Sequence, residues 1–447
     1  ARVSRFAALA GVAGNSLERV PYWAELDRRA EKGAERRMLI VRPAVILREN
    51  TRYIVAMRNL KREDGGAVEP SPAFRRLRAG RTEGLPRLER RRRRFEEIFG
   101  LLEGAGVERE SLTLAWDFHT ASCRSLHGSM LRIRNRGYRA VGAKGPKLTI
   151  EEVVEFSKEE DDQVAMRVEG SFRVPKFVEK TSIRDDEGLV LARDSQGRPV
   201  QRGWKESPFW LTIPRGAPGG KAHGLMQYGH GLLGTGEQVE SGHNDRIAAR
   251  HDLLVFGSTL FGMSSSDVEF ALRALLDISK FPFMSDRLHQ GMLEYLLLAR
   301  AMRERLESTE FARKHDIDVD ENQLYYSGIS QGGIFGGTYM ALSRDVRRGH
   351  LGVPGNNYTT LLERSVDFTR YFRVLNRAYE NRLDQLLAQA LLGILWEQTD
   401  PVSYLRHVRA DPFPDTPRHD VLLAAAQGDH QVAPITNEVA VRTSASS

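Results

Sequence analysis

The chain has 447 residues, 66 Lys+Arg against 59 Asp+Glu, 41% hydrophobic and 28% charged residues and a single Cys; at roughly 100–200 residues per domain this allows several domains and a full enzyme core. Near-average hydrophobic and charged fractions exclude wholesale disorder and fibrous repeats, and the lone Cys123 excludes an internal disulfide framework or a Cys-rich metal site. No apolar run approaches the ~18 residues of a membrane-crossing helix.

The first zone, about 1–145, reads as a β-rich domain with a helical segment. The run Thr51–Met57 alternates like a strand, the Gly65-Gly66 turn and Pro70-Ser71-Pro72-Ala73-Phe74 follow, and Ser111–Phe118 alternates again. Between them lies the densest charge of a chain with net charge +7, Arg90 to Arg94. Phe95, Ile98, Phe99 and Leu102 recur there at helical spacing, which predicts the solvated face of an amphipathic helix. No aromatic interleaving accompanies the arginines, so no nucleic-acid partner is expected.

The second zone, about 146–215, alternates through Gln163–Gly170, Phe172–Val174 and Phe209–Pro214 and reads as antiparallel strands leading into the third. After the turn Gly216–Gly220 the period changes. From 216 to 447, short apolar runs (Ala222–Tyr228, Leu253–Thr259, Leu324–Ser327, His350–Pro354, Asp420–Ala426) alternate with helix candidates Glu237–Arg250, Asp286–Glu307 and Gly332–Leu342. This is the pattern of a mostly parallel, doubly wound α/β sheet. Asp316–Asp320 reads as a solvated loop before the fifth-strand run. The Leu-rich helical stretch at about 361–410 reads as a cap over the site or as a buried helical hairpin.

The strongest chemical signal is Tyr326-Ser327-Gly328-Ile329-Ser330-Gln331-Gly332-Gly333, a G-x-S-x-G with an apolar strand before it and a helix after it. A sharp strand-to-helix turn projects the Ser330 hydroxyl outward, and Gly328 and Gly332 are required because side chains there would clash. The helix N-terminus offers backbone N–H groups to developing negative charge. Gln227-Tyr228-Gly229-His230-Gly231-Leu232-Leu233-Gly234 also follows a strand and precedes a helix, about 100 residues earlier.

With these two elements the chain resembles the α/β-hydrolase superfamily, in particular bacterial lipases and esterases with an H-G-X loop. The resemblance implies an oxyanion hole from the backbone N–H groups of Leu232 and Gln331, with His230 and Gly231 structural. It also implies a triad acid at the strand end Val421–Pro434, where Asp429 stands in G-D-x-x-V-x-P. The superfamily's histidine follows one further strand, and no histidine lies beyond His430. Three accounts stay open: a sequence ending before its last strand and histidine, a recruited His430, or a non-catalytic protein. An opening Ala1-Arg2-Val3 without initiator Met, and an end at Ser446-Ser447, lead us to expect a fragment.

The implied reaction is acyl transfer from a small-molecule ester or lipid through an acyl-enzyme on Ser330. Thioesterase or acyltransferase chemistry and a non-catalytic binding or scaffold role are the alternatives. The histidines show no metal-binding H-x-x-x-H or H-E-x-x-H spacing, so neither metal nor cofactor is expected. Arg42-Pro43-Ala44, Thr51–Ala56 and Pro70–Phe74 resemble the β-rich leaders of bacterial lipase-like envelope proteins. That likeness implies a bacterial source and an envelope or secreted location.

Overall fold

Alternation along Arg52–Arg58 gives one strand two apolar faces, Tyr53, Val55 and Met57 on one side and Ile54 and Ala56 on the other, so it must be covered on both. A computed structural model describes residues 7–13, 16–27, 29–30, 37–62, 64–219 and 221–445. The sequence's opening tripeptide, Gly220 and Ser446-Ser447 lie outside them. The chain divides into two compact units, Ala1–Ser125 and Leu126–Ser447.

The first unit contains β1 (Ala7–Ala13), β2 (Ser16–Val20), β3 (Tyr22–Leu26), β4 (Leu39–Pro43), β5 (Arg52–Arg58), α1 (Pro72–Arg78), α2 (Pro86–Gly104) and β6 (Leu112–His119). An antiparallel sheet runs β2-β1-β5-β6, and β3 pairs with β4. Phe74 of α1 and Ile98, Phe99 and Leu102 of α2 close over Ile54 and Ala56. Tyr22, Leu39 and Val41 pack on the opposite face of β5. Arg90–Arg93 face solvent, whereas Arg94 and Arg52 both bind the Asp117 carboxylate of β6, each with a contact of 2.7 Å.

The helix α3 (Cys123–Val141) leads into the second unit. There follow β7 (Leu148–Glu155), β8 (Val164–Pro175), β9 (Val178–Ile183), β10 (Asp186–Leu191), β11 (Trp204–Pro214), β12 (Ala222–Gly229), α4 (Gly242–His251) and β13 (Leu253–Ser258). Next come α5 (Val268–Leu276), α6 (Pro282–Arg305), α7 (Glu310–Lys314), β14 (Asp318–Ile329), α8 (Gln331–Leu342) and β15 (Arg348–Gly352). The unit ends with α9 (Tyr358–Leu362), α10 (Thr369–Ala378), α11 (Arg382–Trp396), α12 (Arg406–Arg409), β16 (Asp420–Ala424) and α13 (Pro434–Ala445).

The main sheet has eight strands in the order β16-β15-β14-β12-β13-β11-β8-β7. The strands from β13 to β16 are mutually parallel, while β11 runs antiparallel to both β13 and β8. Of the antiparallel strands of the 146–215 stretch, β7, β8 and β11 thus extend the same sheet as the parallel strands that follow, while β9 and β10 pair as a separate two-stranded sheet. Asp318–Asp320, expected to be a loop, is the start of β14: Asp318 and Val319 pair with Ala222 and His223 of β12. Its alternating acids read as loop because this edge of the strand is not fully covered.

Successive parallel strands are joined through helices on both faces, α4 on one and α6 and α8 together on the other. Tyr325 packs with Met226 and with Ile247 of α4, whereas its neighbour Tyr326 stacks on Tyr339 of α8 with ring centroids 4.6 Å apart. Helix α6 is buried over nearly its whole length, so the polar and charged residues it carries inside, among them Arg287, Gln290 and Glu294, must each find a partner. Its one buried acid, Glu294, is satisfied by Lys205 at 2.8 Å and Ser207 at 2.7 Å. The chain leaves β12 toward β13 on one side, and β14 lies on the other. A crevice therefore opens at the carboxyl ends of β12 and β14, the topological switch point where α/β sheets hold ligands.

Candidate active site

Both chemical motifs end at that crevice: the Gly229–Gly234 loop after β12 and Ser330 after β14. Ser330 sits at φ 59°, ψ −123°, a backbone region that a residue with a Cβ occupies only under strain of about 1–3 kcal/mol. The strain is imposed from several directions. Ser330 N–H donates to the Gly352 carbonyl of β15 at 3.1 Å, and its own carbonyl accepts from Ile334 at 2.8 Å to begin α8. Tyr326 hydroxyl donates to the Gly332 carbonyl at 2.7 Å, tying the first turn of α8 to the strand that precedes the serine.

No side chain fits at the glycines of this turn. A Cβ on Gly332 would overlap the Gly229 carbonyl, one on Gly328 would overlap Gly332, and one on Gly333 would overlap the Gly352 carbonyl. Gly336 abuts Leu351 and Tyr326 on the sheet, whereas Gly337 faces Leu405 and Pro401 on the other side of the helix. Ser330 is half-buried, and its hydroxyl bonds no described residue. Gln331 N–H opens α8 and has no intrahelical acceptor.

The two loops are bound together through side chains. Gln331, fully buried, accepts from Leu233 N–H at 3.0 Å and donates to the Met263 carbonyl at 2.7 Å. Leu233 itself takes φ 48° as the loop turns, and Gly231 N–H is held by Gln238 at 2.8 Å. One buried glutamine thus sets the spacing between Leu232 and the start of α8, with Gln331 contributing its backbone on one side and its amide on the other.

His230 is 2% exposed. Its Nδ1 lies 2.8 Å from the Gly231 carbonyl and its Nε2 accepts from Leu260 N–H at 2.9 Å, so both ring nitrogens bond the backbone of the neighbouring loops. Burial pushes its pKa from 6.5 down to about 4. The unfolded chain therefore takes up a proton near pH 6.5 and the folded chain only near pH 4. The stability that neutral His230 contributes is present above pH 6.5 and is lost as the pH falls through that window, by about 3 kcal/mol in full. Chemical unfolding at pH 7 and pH 4.5 should show this loss in the wild type and a smaller one in His230→Gln. An equal loss in both would exclude His230 as the titrating group.

A loop not prominent in the sequence supports the same site. Asp267 is fully buried and accepts from Gly262 and Ser264 N–H, each at 2.9 Å, and from the Ser264 hydroxyl at 2.6 Å. Its second oxygen pairs with Arg287 of α6 at 2.5 Å, and that guanidinium lies over the Phe261 ring at 4.1 Å. The Ser264 hydroxyl serves the turn, bonding Asp267. What the sequence concealed is the ion pair, whose partner stands 20 residues away on another element.

Asp429 lies in the turn after β16. Its Oδ1 accepts from Gln431 N–H at 2.7 Å and Val432 N–H at 2.9 Å, while Oδ2 has no partner among the described residues. The turn is tied to the 365–368 segment: the His430 carbonyl accepts from Val366 N–H at 2.9 Å and Gln431 donates to Asp367 at 3.1 Å. The His430 ring is exposed, and no described histidine hydrogen-bonds Ser330 or Asp429. The structure therefore ties the Ser330–Gln331 turn to the Gly229–Gly234 loop through the Gln331 bonds to Leu233 and Met263, and no hydrogen bond among the described residues joins Asp429 or His430 to it.

No family model and no curated protein matches the chain. Among solved structures it is similar to acetyl xylan esterase 1 from Thermoanaerobacterium sp. JW/SL YS485, 16% identical at a TM-score of 0.44 over 71% of this chain and 82% of that one. Acetyl xylan esterase from Paenibacillus sp. R4 is 13% identical at a TM-score of 0.39, over 70% of this chain and 84% of that one. An acylaminoacyl peptidase of Pyrococcus horikoshii is 12% identical at a TM-score of 0.34, over 62% of this chain and 41% of that one. The chain's own sheet order with antiparallel β11, and its serine on a strained strand-to-helix turn at the switch point, give the Leu126–Ser447 unit the α/β-hydrolase fold.

Proposed function

We propose that the protein is a serine hydrolase acting on carboxylic esters through an acyl-enzyme on Ser330. The observation that carries the reading is the strained Ser330 backbone, held beside an amide-rich loop at the switch point. Ser330 Oγ attacks the ester carbonyl, its proton passes to a base and on to the departing alcohol, and water then releases the acyl group. The Leu232 and Gln331 N–H groups hold the negative oxygen, each donor worth roughly 10²–10³ in rate. Asp429 is the acid, with Oδ2 open to orient an imidazole.

We propose that the base is a histidine outside the described residues, standing beside β16. Three observations support this: the outer edge of β16 pairs with no described strand, Leu422 on it is 66% exposed, and the His430 ring bonds neither Asp429 nor Ser330. That same missing contact is what favours the second reading, a hydrolase-fold binding protein without turnover.

Labelling by a fluorophosphonate probe separates these readings when applied to this chain, to the full reading frame and to His430→Gln. Labelling of the full frame that persists in His430→Gln supports an external histidine. Labelling that vanishes in His430→Gln makes His430 the base. A folded full-length protein that does not label is a binding protein.

A further inference from the structure

The side chains of the oxyanion loop open onto a second feature. Beside Leu232 and Leu233 lies a narrow cavity, partly open to solvent, roofed by α9–α11 and floored by α5 and α6. Leu232, Met263, Ala274, Phe281, Leu392 and Trp396 stand in its wall. Its lining is apolar apart from Gln389 and the Tyr371 and Trp396 ring edges, and the Gln389 amide is already bonded to Glu363 at 3.1 Å. The far wall is rigid: Trp396 stacks on Tyr358 with centroids 4.3 Å apart and packs against Phe281 at 5.1 Å.

We propose that this cavity receives the acyl chain of the ester, a linear apolar chain. The assignment rests on Ser330 being the nucleophile. Leu232 contributes its N–H to the oxyanion side and its side chain to the cavity, so the cavity begins within one residue of the attacked carbonyl. Of the two groups on that carbonyl, the leaving alcohol needs a proton and an exit to water, and an apolar wall supplies neither. The acyl chain needs only to leave water. Polar acyl groups and sugar substituents would find one free donor in this wall, the buried and unpartnered Trp396 Nε1, and otherwise only apolar surface.

The test is kcat/KM of the full reading frame over p-nitrophenyl esters from acetate to decanoate. Each methylene up to hexanoate should raise it by up to about four-fold, with the gain ending before decanoate at the Trp396–Tyr358 wall. Ala274→Phe, which fills the cavity, should lower the hexanoate-to-acetate ratio about ten-fold, and Leu392→Ala should move the optimum to longer chains. A readout free of turnover uses Ser330→Ala titrated with methyl 8-bromooctanoate, whose bromine quenches indole fluorescence. The quenching should disappear when Trp396→Phe is added. Turnover with no dependence on chain length, a ratio unmoved in both folded variants, or quenching that survives Trp396→Phe overturns the acyl assignment. Specific quenching with no ester turned over and no fluorophosphonate labelling overturns the hydrolase reading on which it rests.

Discussion

Ser330→Gly is expected to abolish ester turnover and fluorophosphonate labelling, a loss of about 10⁴-fold or more, while leaving the protein about 1 kcal/mol more stable. The two effects have one structural cause. At φ 59°, ψ −123° the serine Cβ is crowded by its own backbone, whereas glycine reaches that region freely. Relief of about 1–3 kcal/mol of strain outweighs the ~0.5–1 kcal/mol by which glycine's flexibility favours the unfolded chain. Ser330→Ala keeps the Cβ and the strain, so it should lose activity without gaining stability. Thermal unfolding of the two variants side by side decides the matter. Residual activity near wild type in either removes Ser330 as nucleophile, and equal stability of the two removes the strain.

Gly332→Ala should be among the most damaging single-methyl additions in the chain, costing about 3 kcal/mol or more. The added Cβ would overlap the Gly229 carbonyl, which is backbone of the neighbouring strand end and cannot rotate away. Relief requires α8 to move off the sheet. That movement would break the Gln331 bonds to Leu233 and Met263 and the Tyr326 bond to Gly332. Gly428→Ala is the matched control: it lies at φ 69° with nothing within 4 Å of a Cβ, and should cost only about 1 kcal/mol of backbone strain. Soluble yield and denaturant midpoints should rank wild type above Gly428→Ala, and Gly428→Ala well above Gly332→Ala. A Gly332→Ala protein as stable as wild type would mean that α8 does not lie this close to β12.

The structure takes much of its order from features short in sequence. Gly328, Ser330 and Gly332 span one turn between a strand and a helix, so the steric demand for glycines is visible in the motif itself. The stripe Ile98, Phe99 and Leu102 is likewise a helical period, and its burial under β5 needed no knowledge of the partner. The position of β14 was legible only where it is apolar, because Asp318–Asn322 carries the polar composition of a loop, and within it only Asp318 and Val319 pair with β12 before the register shifts.

The cap offers the opposite case. Its Leu-rich composition fitted a lid and a buried hairpin equally well, since a helical period records that a face is apolar and not what it meets. Docking with α5 and α6 is what leaves a cavity beside Leu232. Asp267 and Arg287, His230 and Leu260, and Gln331 and Met263 are likewise paired across separate elements, with no spacing to announce them.

By itself the sequence determined the serine turn between strand and helix, the glycine-rich loop after β12 and the α/β class. Each is set by sterics or periodicity within a dozen residues, where chain connectivity fixes the geometry. Only the tertiary structure decided that Gln331 bonds Leu233 and Met263, that His230 is a neutral brace, that Asp429 lies in a turn tied to the 365–368 segment, and that an apolar cavity adjoins the Gly229–Gly234 loop. Those are contacts between residues tens to more than a hundred positions apart. Their geometry depends on how close-packed elements settle against one another, which no local pattern encodes.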